Sequence, residues 1–585
     1  MNSVQKKYIF TLIIGMAVWS FDIQALDART HDTTPITSTG TPTYTNTKQT
    51  LLQGIESVMK QYGIVGLSIA LVDDQQVVWA EGFGFADKEQ LIKATPETVY
   101  RAGSISKLFT ATAAMQLVER GKLDIDKPLQ TYIPEFAIKS RFPDAEPITP
   151  RHLMTHHSGL PEAYLKEFRA TSPVKPFTQL VDKLPGEYTA YPPNLMLTYS
   201  NLAVTLLGVA VENTCSLAFS ACLEQNLLQP LGMIDSEFSQ GASVSALMSK
   251  EYSQAGLLPA TFLHDVPAGG LNSNVQDLSR FMSMVFADGK IETKTIISPV
   301  VLNEMLRQQN ADIPLDLDQK IGLAWFFDRT PSGETIAWHN GGIGGFNSHL
   351  ATIPSQKLGV VVLANTDSPE GVVGDIAILA LNLMLSEKWA VSGLSQSSQD
   401  APAKIPLNPR KLPGHYASEN FGLISIHDNH GSMRINIVGM SYPLALQPDG
   451  TAKFTSPNFG GEVKLSRDKL SAHQVLILDS PATGRLLLGE KLAQPHLSKA
   501  WSQRVGTYQL TNKGDDVEIP SALYLHIKEG FLILTGGPAD LVLTPINDQE
   551  AIIAGLGRGL GQTITFGTHG KQQTLRYMGL VAKRK

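Results

Sequence analysis

The strand-like stretches "GLSIALVDD" and "QQVVWAEGFGFAD" follow residue 65, and "IGLAWFFD", "TIAWHNGG", "NSHLATIP" and "KLGVVVLAN" crowd the region before residue 366. Between them, from about 98 to 300, apolar residues recur mainly at helical spacing. Strands at both ends of a helical middle bury their apolar faces by coming together across it. The pattern therefore predicts one α+β domain, an antiparallel sheet flanked by helices with an all-helical subdomain, over 48–395. The apolar-periodic run "GVVGDIAILALNLMLSEKW" reads as its closing helix.

Beyond "SGLSQSSQDAPAKIPLNP" the texture changes to short alternating strands and turns. Two segments open alike, with Gly414 and Tyr416 in one and Gly506 and Tyr508 in the other. They predict C-terminal antiparallel β units of barrel type, over 405–495 and 500–585, or one larger barrel. The glycine-rich "GLGRGLG" at 555–561 lacks a βαβ setting, so it reads as a strand turn and not a dinucleotide loop.

At the start of the chain, Lys6 and Lys7 precede an apolar run from Tyr8 to about Phe21, and small residues follow at Ala25 and Ala28. This is the layout of a secretory signal peptide, placed at 1–25. The run is shorter than the ~20 residues a membrane span needs. A periplasmic or secreted protein with no transmembrane segment after signal cleavage is expected. Residues 26–47, rich in Thr, Pro and Ser, read as a linker. The net charge of −6 over 585 residues gives nucleic acid no purchase. A small peptide, amide or ester is the expected partner, and no cofactor is called for. Export permits a disulfide between Cys215 and Cys222, the only cysteines. On one continuous helix they would stand about 10 Å apart, too far to bridge. With Cys215 in a loop ahead of the helix, bridging is feasible.

Chemistry enters at "TVYRAGSISKLFTATAAMQLVERGKL", where Ser104 and Lys107 are three residues apart. The same spacing occurs at Ser3/Lys6, Ser57/Lys60, Ser172/Lys175 and Ser466/Lys469. Only Ser104 stands at the start of an apolar-periodic helix that ends near Gly121. There a lysine one turn along shares the serine's face and reaches its hydroxyl. The Ser104 amide, at the helix N-terminus, is free to donate to an oxyanion.

Three motifs, "TVYRAGSISK", "TYSN" with Tyr199 and Asn201, and "WHNGG" with His339 and Gly341, occur in order along the chain. This order and spacing resemble the active-site-serine, penicillin-recognising family of class C β-lactamases, D-Ala-D-Ala carboxypeptidases, and their esterase and D-aminopeptidase relatives. "ITPRHLMTHHSGLP" and "VPAGGLNSNVQDLSRFM" resemble its connecting segments, so the likeness covers roughly residues 50–390. It implies a β-lactamase/transpeptidase-like fold and a serine hydrolase in which Ser104 forms an acyl-enzyme that water resolves. By resemblance Tyr199 is the general base, acting with Lys107. A free phenol titrates near ~10, and lowering it by about 3 units takes about 4 kcal/mol, which a nearby ammonium can supply. By resemblance the backbone amides of Ser104 and Gly342 form the oxyanion site and Asn201 holds a substrate amide. At the position of His339 many relatives carry lysine, whose fixed charge suits a substrate carboxylate. A histidine there is often neutral, which suits a carboxylate less well; by resemblance, the esterase and D-aminopeptidase relatives tolerate histidine at this position. Those D-aminopeptidases also carry appended β-barrels.

His152 and His156 have a spacing that could ligate a metal on a helical face, yet no HExxH glutamate accompanies them, and a loop-ordering role is expected. The sequence thus predicts an exported serine hydrolase cleaving amide or ester bonds, with D-amino-acid peptides as candidate substrates. A β-lactamase or D-Ala-D-Ala carboxypeptidase is the alternative within the class. A non-catalytic peptidoglycan- or partner-binding protein is the alternative outside it.

Overall fold

The computed structural model describes residues 42–243, 245–368, 371–392, 412–449, 451–456, 461–480, 484–537, 539–570 and 572–585. The expected signal peptide and most of the expected linker lie outside them. Helix α1 (Thr45–Tyr62) begins within the stretch assigned to the linker. Its buried residues Thr47, Leu51, Ile55 and Met59 recur every fourth position, one stripe of a helix. Gly63, with φ of 67°, ends it by donating its N–H to the Met59 carbonyl.

Strands β1 (Gly66–Asp73) and β2 (Gln76–Asp87) follow as a hairpin, then the short β3 (Ile92–Lys93) and β4 (Tyr100–Gly103). The helical middle contains α2 (Ser106–Glu119), α3 (Asn201–Cys215) and α4 (Val275–Phe286). The chain then returns to strands β5 (Lys320–Ile321), β6 (Phe326–Arg329), β7 (Thr335–Ile343), β8 (Phe346–Ile353) and β9 (Leu358–Ala364), and to helix α5 (Gly371–Ser392).

The eight-stranded sheet runs β5-β6-β7-β8-β9-β1-β2-β3, so β1 pairs antiparallel with β9 from the far end of the domain. Both of its faces are covered. Leu67, Ile69 and Leu71 pack with Leu51 and Ile55 of α1 and with Ile376 and Leu381 of α5. Ala70 and Val72, on the other face, join a second core with Leu278, Phe281 and Met282 of α4. Each fully buried aliphatic side chain contributes roughly 1.5–3 kcal/mol. That burial explains why β1 reads as a near-continuous apolar run and not an alternating one.

Two closed eight-stranded antiparallel barrels follow, spanning 414–492 and 506–584. Consecutive strands pair and the last closes on the first, which removes exposed edges. The two openings that look alike in sequence do the same work. Tyr416 donates its hydroxyl to the Leu412 carbonyl at 2.5 Å, and Tyr508 donates to the Arg504 carbonyl at 2.8 Å. Each ring is fully buried and ties the lead-in segment to its barrel.

The second barrel is fastened to the α+β domain. Asp516 accepts from the Glu167 amide at 3.0 Å, and Arg169 reaches Glu518 at 3.1 Å. The first barrel is held by Arg485, which donates to Asp318 at 2.6 Å. Tyr191, Leu315, Val475, Ile477 and Leu556 form one apolar cluster drawn from all three units. Cys215 ends α3 and does not sit in a loop. Ser216, with φ of 60°, reverses the chain there, and the next helix (Phe219–Leu223) brings Cys222 back to a Cα separation of 6.4 Å in a disulfide.

Candidate active site

The site is built where β4 meets β7. Gly103 ends β4 in the left-handed region, φ 54°, and a Cβ there would stand 2.9 Å from the Gly342 nitrogen. Glycine is what lets the two backbones approach and the chain turn sharply into α2. Ser104 lies in that turn, two residues ahead of the helix. Gly341 is tighter still, since its Cβ would stand 2.1 Å from the Ala102 carbonyl and 2.9 Å from the Ser104 nitrogen. Ser348 of β8 fastens the junction by donating to the same Ala102 carbonyl at 2.7 Å. β6 pairs with β7 only as far as Trp338. From His339 to Ile343, β7 is therefore paired only with β8 among the described residues, and its other backbone edge has no strand against it there.

Lys107 is fully buried one turn along α2. Its Nζ stands 2.9 Å from Ser104 Oγ, 2.8 Å from Asn201 Oδ1 and 2.8 Å from the Ala268 carbonyl. Asn201 opens α3, whose first turn is capped by Ser200 Oγ accepting from the Ala203 amide at 3.0 Å. Ala268 comes from a short helix, Val266–Gly269. Tyr199, just before the cap, presents its ring 4.8 Å from Lys107 Nζ. The sequence motifs therefore converge: Ser104, Lys107, Tyr199, Asn201, Gly341 and Gly342 gather at one place.

Desolvation by burial holds the Lys107 ammonium well below its ordinary value; Arg558 adds to the shift and Asp265 opposes it. Two N–H bonds go to Asn201 Oδ1 and the Ala268 carbonyl and a third points at Ser104 Oγ; once that third proton is lost, the lone pair faces the Ser104 hydroxyl, which can then donate. With Asn201 Oδ1 used in this way, its Nδ2 is the end available to a ligand.

His339 is fully buried on β7, and its Nδ1 lies 2.6 Å from the Asn340 carbonyl. That carbonyl can only accept, so Nδ1 carries the proton and donates. Burial, reinforced by Lys107, pushes the ring down to about 3, so it is neutral near pH 7. The site's histidine supplies no cation.

His152 and His156 order loops. His152 Nδ1 accepts from the Thr149 amide, closing the first turn of the helix Pro150–Met154, and its Nε2 meets Asn194 Nδ2 at 2.9 Å. His156 accepts from the Ser200 amide at 3.2 Å and packs its ring 4.3 Å from that of Tyr199. It thereby sets the position of the phenol. Among the described residues no cluster of metal-ligating side chains occurs.

Sequence reasoning missed Arg558. The "GLGRGLG" segment is indeed a strand turn, joining Glu550–Ile553 to Thr563–His569. It also reaches this site: the Arg558 guanidinium carbon lies 5.0 Å from the Tyr199 ring centroid. Its Nε donates to Glu162 at 2.7 Å, and its backbone N–H donates to Glu419 of the first barrel at 2.9 Å. Glycines on both sides of a lone charge were the available signal, and nothing local says where that charge lands.

The family described as Beta-lactamase matches residues 52–383. Protein flp of Staphylococcus aureus is 26% identical over 320 residues, covering 54% of this chain and 62% of its own length. The chain thus spans under two thirds of that relative. A Beta-lactamase from Providencia stuartii is 27% identical over 351 residues, covering 54% of this chain and 87% of its own. Among solved structures, an octameric penicillin-binding protein homologue from Pyrococcus abyssi shares the fold with a TM-score of 0.51 at 24% identity, over 75% of this chain and 99% of its own. SurE does so with a TM-score of 0.54 at 20% identity, over 76% of this chain and 100% of its own.

Proposed function

Because the chain belongs to the Beta-lactamase family, whose members are generally serine hydrolases, we propose that it is an exported serine hydrolase cleaving amide or ester bonds through an acyl-enzyme on Ser104. The observation that carries this reading is the buried Lys107 amine 2.9 Å from Ser104 Oγ. A hydroxyl attacks only if something takes its proton, and an amine whose own proton is loosened by burial is such an acceptor.

In this reading Ser104 Oγ bonds to the acyl carbon as its proton passes to the Lys107–Tyr199 pair. The carbonyl oxygen gains the negative charge and is received by the amides of Ser104 and Gly342. The leaving amine or alkoxide departs with that proton. Water then enters, gives up a proton to the same pair, and releases the acid and Ser104. Asn201 Nδ2 and the open edge of β7 hold the substrate backbone. The absence of charge on His339 favours esters or D-amino-acid peptides over penicillins anchored through a carboxylate at that position. The apolar leader at 1–25 and the Cys215–Cys222 disulfide support an extracytoplasmic location.

The test is labelling of the wild type and Ser104→Ala with a fluorophosphonate and a fluorescent penicillin. Phosphonate labelling that Ser104→Ala abolishes, without penicillin labelling, is the expected result. Labelling by both favours a β-lactamase or D-Ala-D-Ala carboxypeptidase. Labelling by neither overturns the hydrolase reading in favour of a binding protein.

A further inference from the structure

The 555–561 loop has the backbone of a segment built to be inserted. Gly555, Gly557, Gly559 and Gly561 all take positive φ. A Cβ on Gly561 would stand 2.7 Å from the Tyr191 ring, and one on Gly555 would stand 2.9 Å from Ala417 of the first barrel. Tyr191 of the hydrolase domain clasps the loop, donating its hydroxyl to the Gly555 carbonyl at 2.9 Å and accepting from the Gly557 amide at 3.2 Å. The loop is thus wedged where all three units meet, with its one charged side chain turned toward Tyr199.

We propose that Arg558 is a substrate-binding residue of this active site, delivered by the second barrel, and that it takes a carboxylate carried by the substrate. This deepens the reading of Ser104 as the nucleophile and rests on it. Three observations lead there. First, the guanidinium lies 5.0 Å from the Tyr199 ring and Lys107 Nζ lies 4.8 Å from it, so Arg558 stands at the same site. Second, it is unsealed: 41% of its side chain is exposed. Its contacts with Glu162 run through Nε and Nη2, and Nη1 has no hydrogen bond among the described residues. A planar fork with donors left over matches a carboxylate. Third, His339 on β7 is buried and neutral near pH 7 and brings no charge to a substrate. Arg558 brings one from another direction. Glu162 holds the guanidinium in place between substrates and competes with the incoming anion.

The experiment is titration calorimetry on full-length Ser104→Ala, with N-acetyl-D-alanine and its neutral isostere N-acetyl-D-alaninamide as probes. The acid should bind about tenfold more tightly than the amide. Arg558→Gln should erase that preference, and Arg558→Lys should restore part of it. Glu162→Gln, which frees the guanidinium, should widen it. Melting temperatures report whether each variant is folded. Equal binding of acid and amide, binding of neither, or a preference that survives Arg558→Gln would overturn the proposal. A Glu162→Gln variant that loses the preference as Arg558→Gln does would also overturn it, by showing the pair to be a structural tie. Because Ser104 is already absent, failure here is separate from failure of the hydrolase reading, which Ser104 labelling decides.

Discussion

Lys107 Nζ lies 2.9 Å from Ser104 Oγ with no solvent reaching the amine. Its lowered pKa sets the sign of the pH dependence: the neutral form is the proton acceptor, so kcat/KM should rise as pH climbs through the depressed value and then level off. Lys107→Arg keeps a cation but cannot give up its proton near neutrality. It should lower kcat/KM by about 10³-fold while the fold persists, in line with loss of a positioned base. A pH–rate profile flat down to the acid limb would sink this assignment.

Adjacent glycines on β7 should behave oppositely. An alanine methyl at Gly341 would overlap the Ala102 carbonyl at 2.1 Å, whereas at Gly342 it would meet nothing within 4 Å. Gly341→Ala should cost about 1–3 kcal/mol of stability, as overpacking does, and displace the Ser104 turn. Gly342→Ala should melt like the wild type. Thermal melts of the two variants decide the matter, and equal melting temperatures would show that β4 and β7 approach less closely than described.

The meeting of Ser104 with Lys107 was legible in the sequence because it is written in short-range spacing at a helix start, and that of Asn201 with them through the resemblance of the TYSN motif. Arg558 was not, since its partner Glu162 is 396 positions away and only the docking of the second barrel brings them together. The first residues of α1 read as linker for a related reason. Thr and Asn are weak helix formers, but Thr47 is held by Glu387 of α5 at 2.6 Å and Tyr44 by Asp73 at 2.6 Å. Tertiary contacts thus extend the helix beyond its propensity. The barrels were visible as a repeat through Gly414/Tyr416 and Gly506/Tyr508, because each tyrosine performs a local task, reaching a carbonyl four residues back.

The buried histidines of the sheet should make the fold acid-sensitive. Burial pushes His339 down to about 3 and His349 to about 4, from 6.5 in the unfolded chain. Between those values the unfolded state binds more protons, so stability is complete above about pH 6.5 and declines as pH falls toward 3–4. At pH 4.5 each group should cost about 2–3 kcal/mol relative to pH 7. His339→Gln and His349→Gln should each flatten the loss measured by denaturant midpoints at the two pH values. An unchanged slope in both variants would place the acid sensitivity elsewhere.

Arg169 faces two carboxylates in different surroundings, Glu251 at 3.4 Å and Glu518 of the second barrel at 3.1 Å. The Arg169 and Glu251 side chains are each only 8% exposed, while that of Glu518 is 46% exposed. Glu251 also accepts from the Gly345 amide at 2.8 Å, just past β7, so its charge is anchored beside the site. Removing the cation strands a buried carboxylate, and Arg169→Met should cost about 3 kcal/mol. Glu518→Gln breaks only a solvent-screened contact and should cost under about 1 kcal/mol. The barrel stays docked there through Asp516 and the Glu167 amide. Denaturant unfolding of both variants gives the order; if Glu518→Gln proved the more damaging, the barrel contact and not the buried pair would be what holds this corner together.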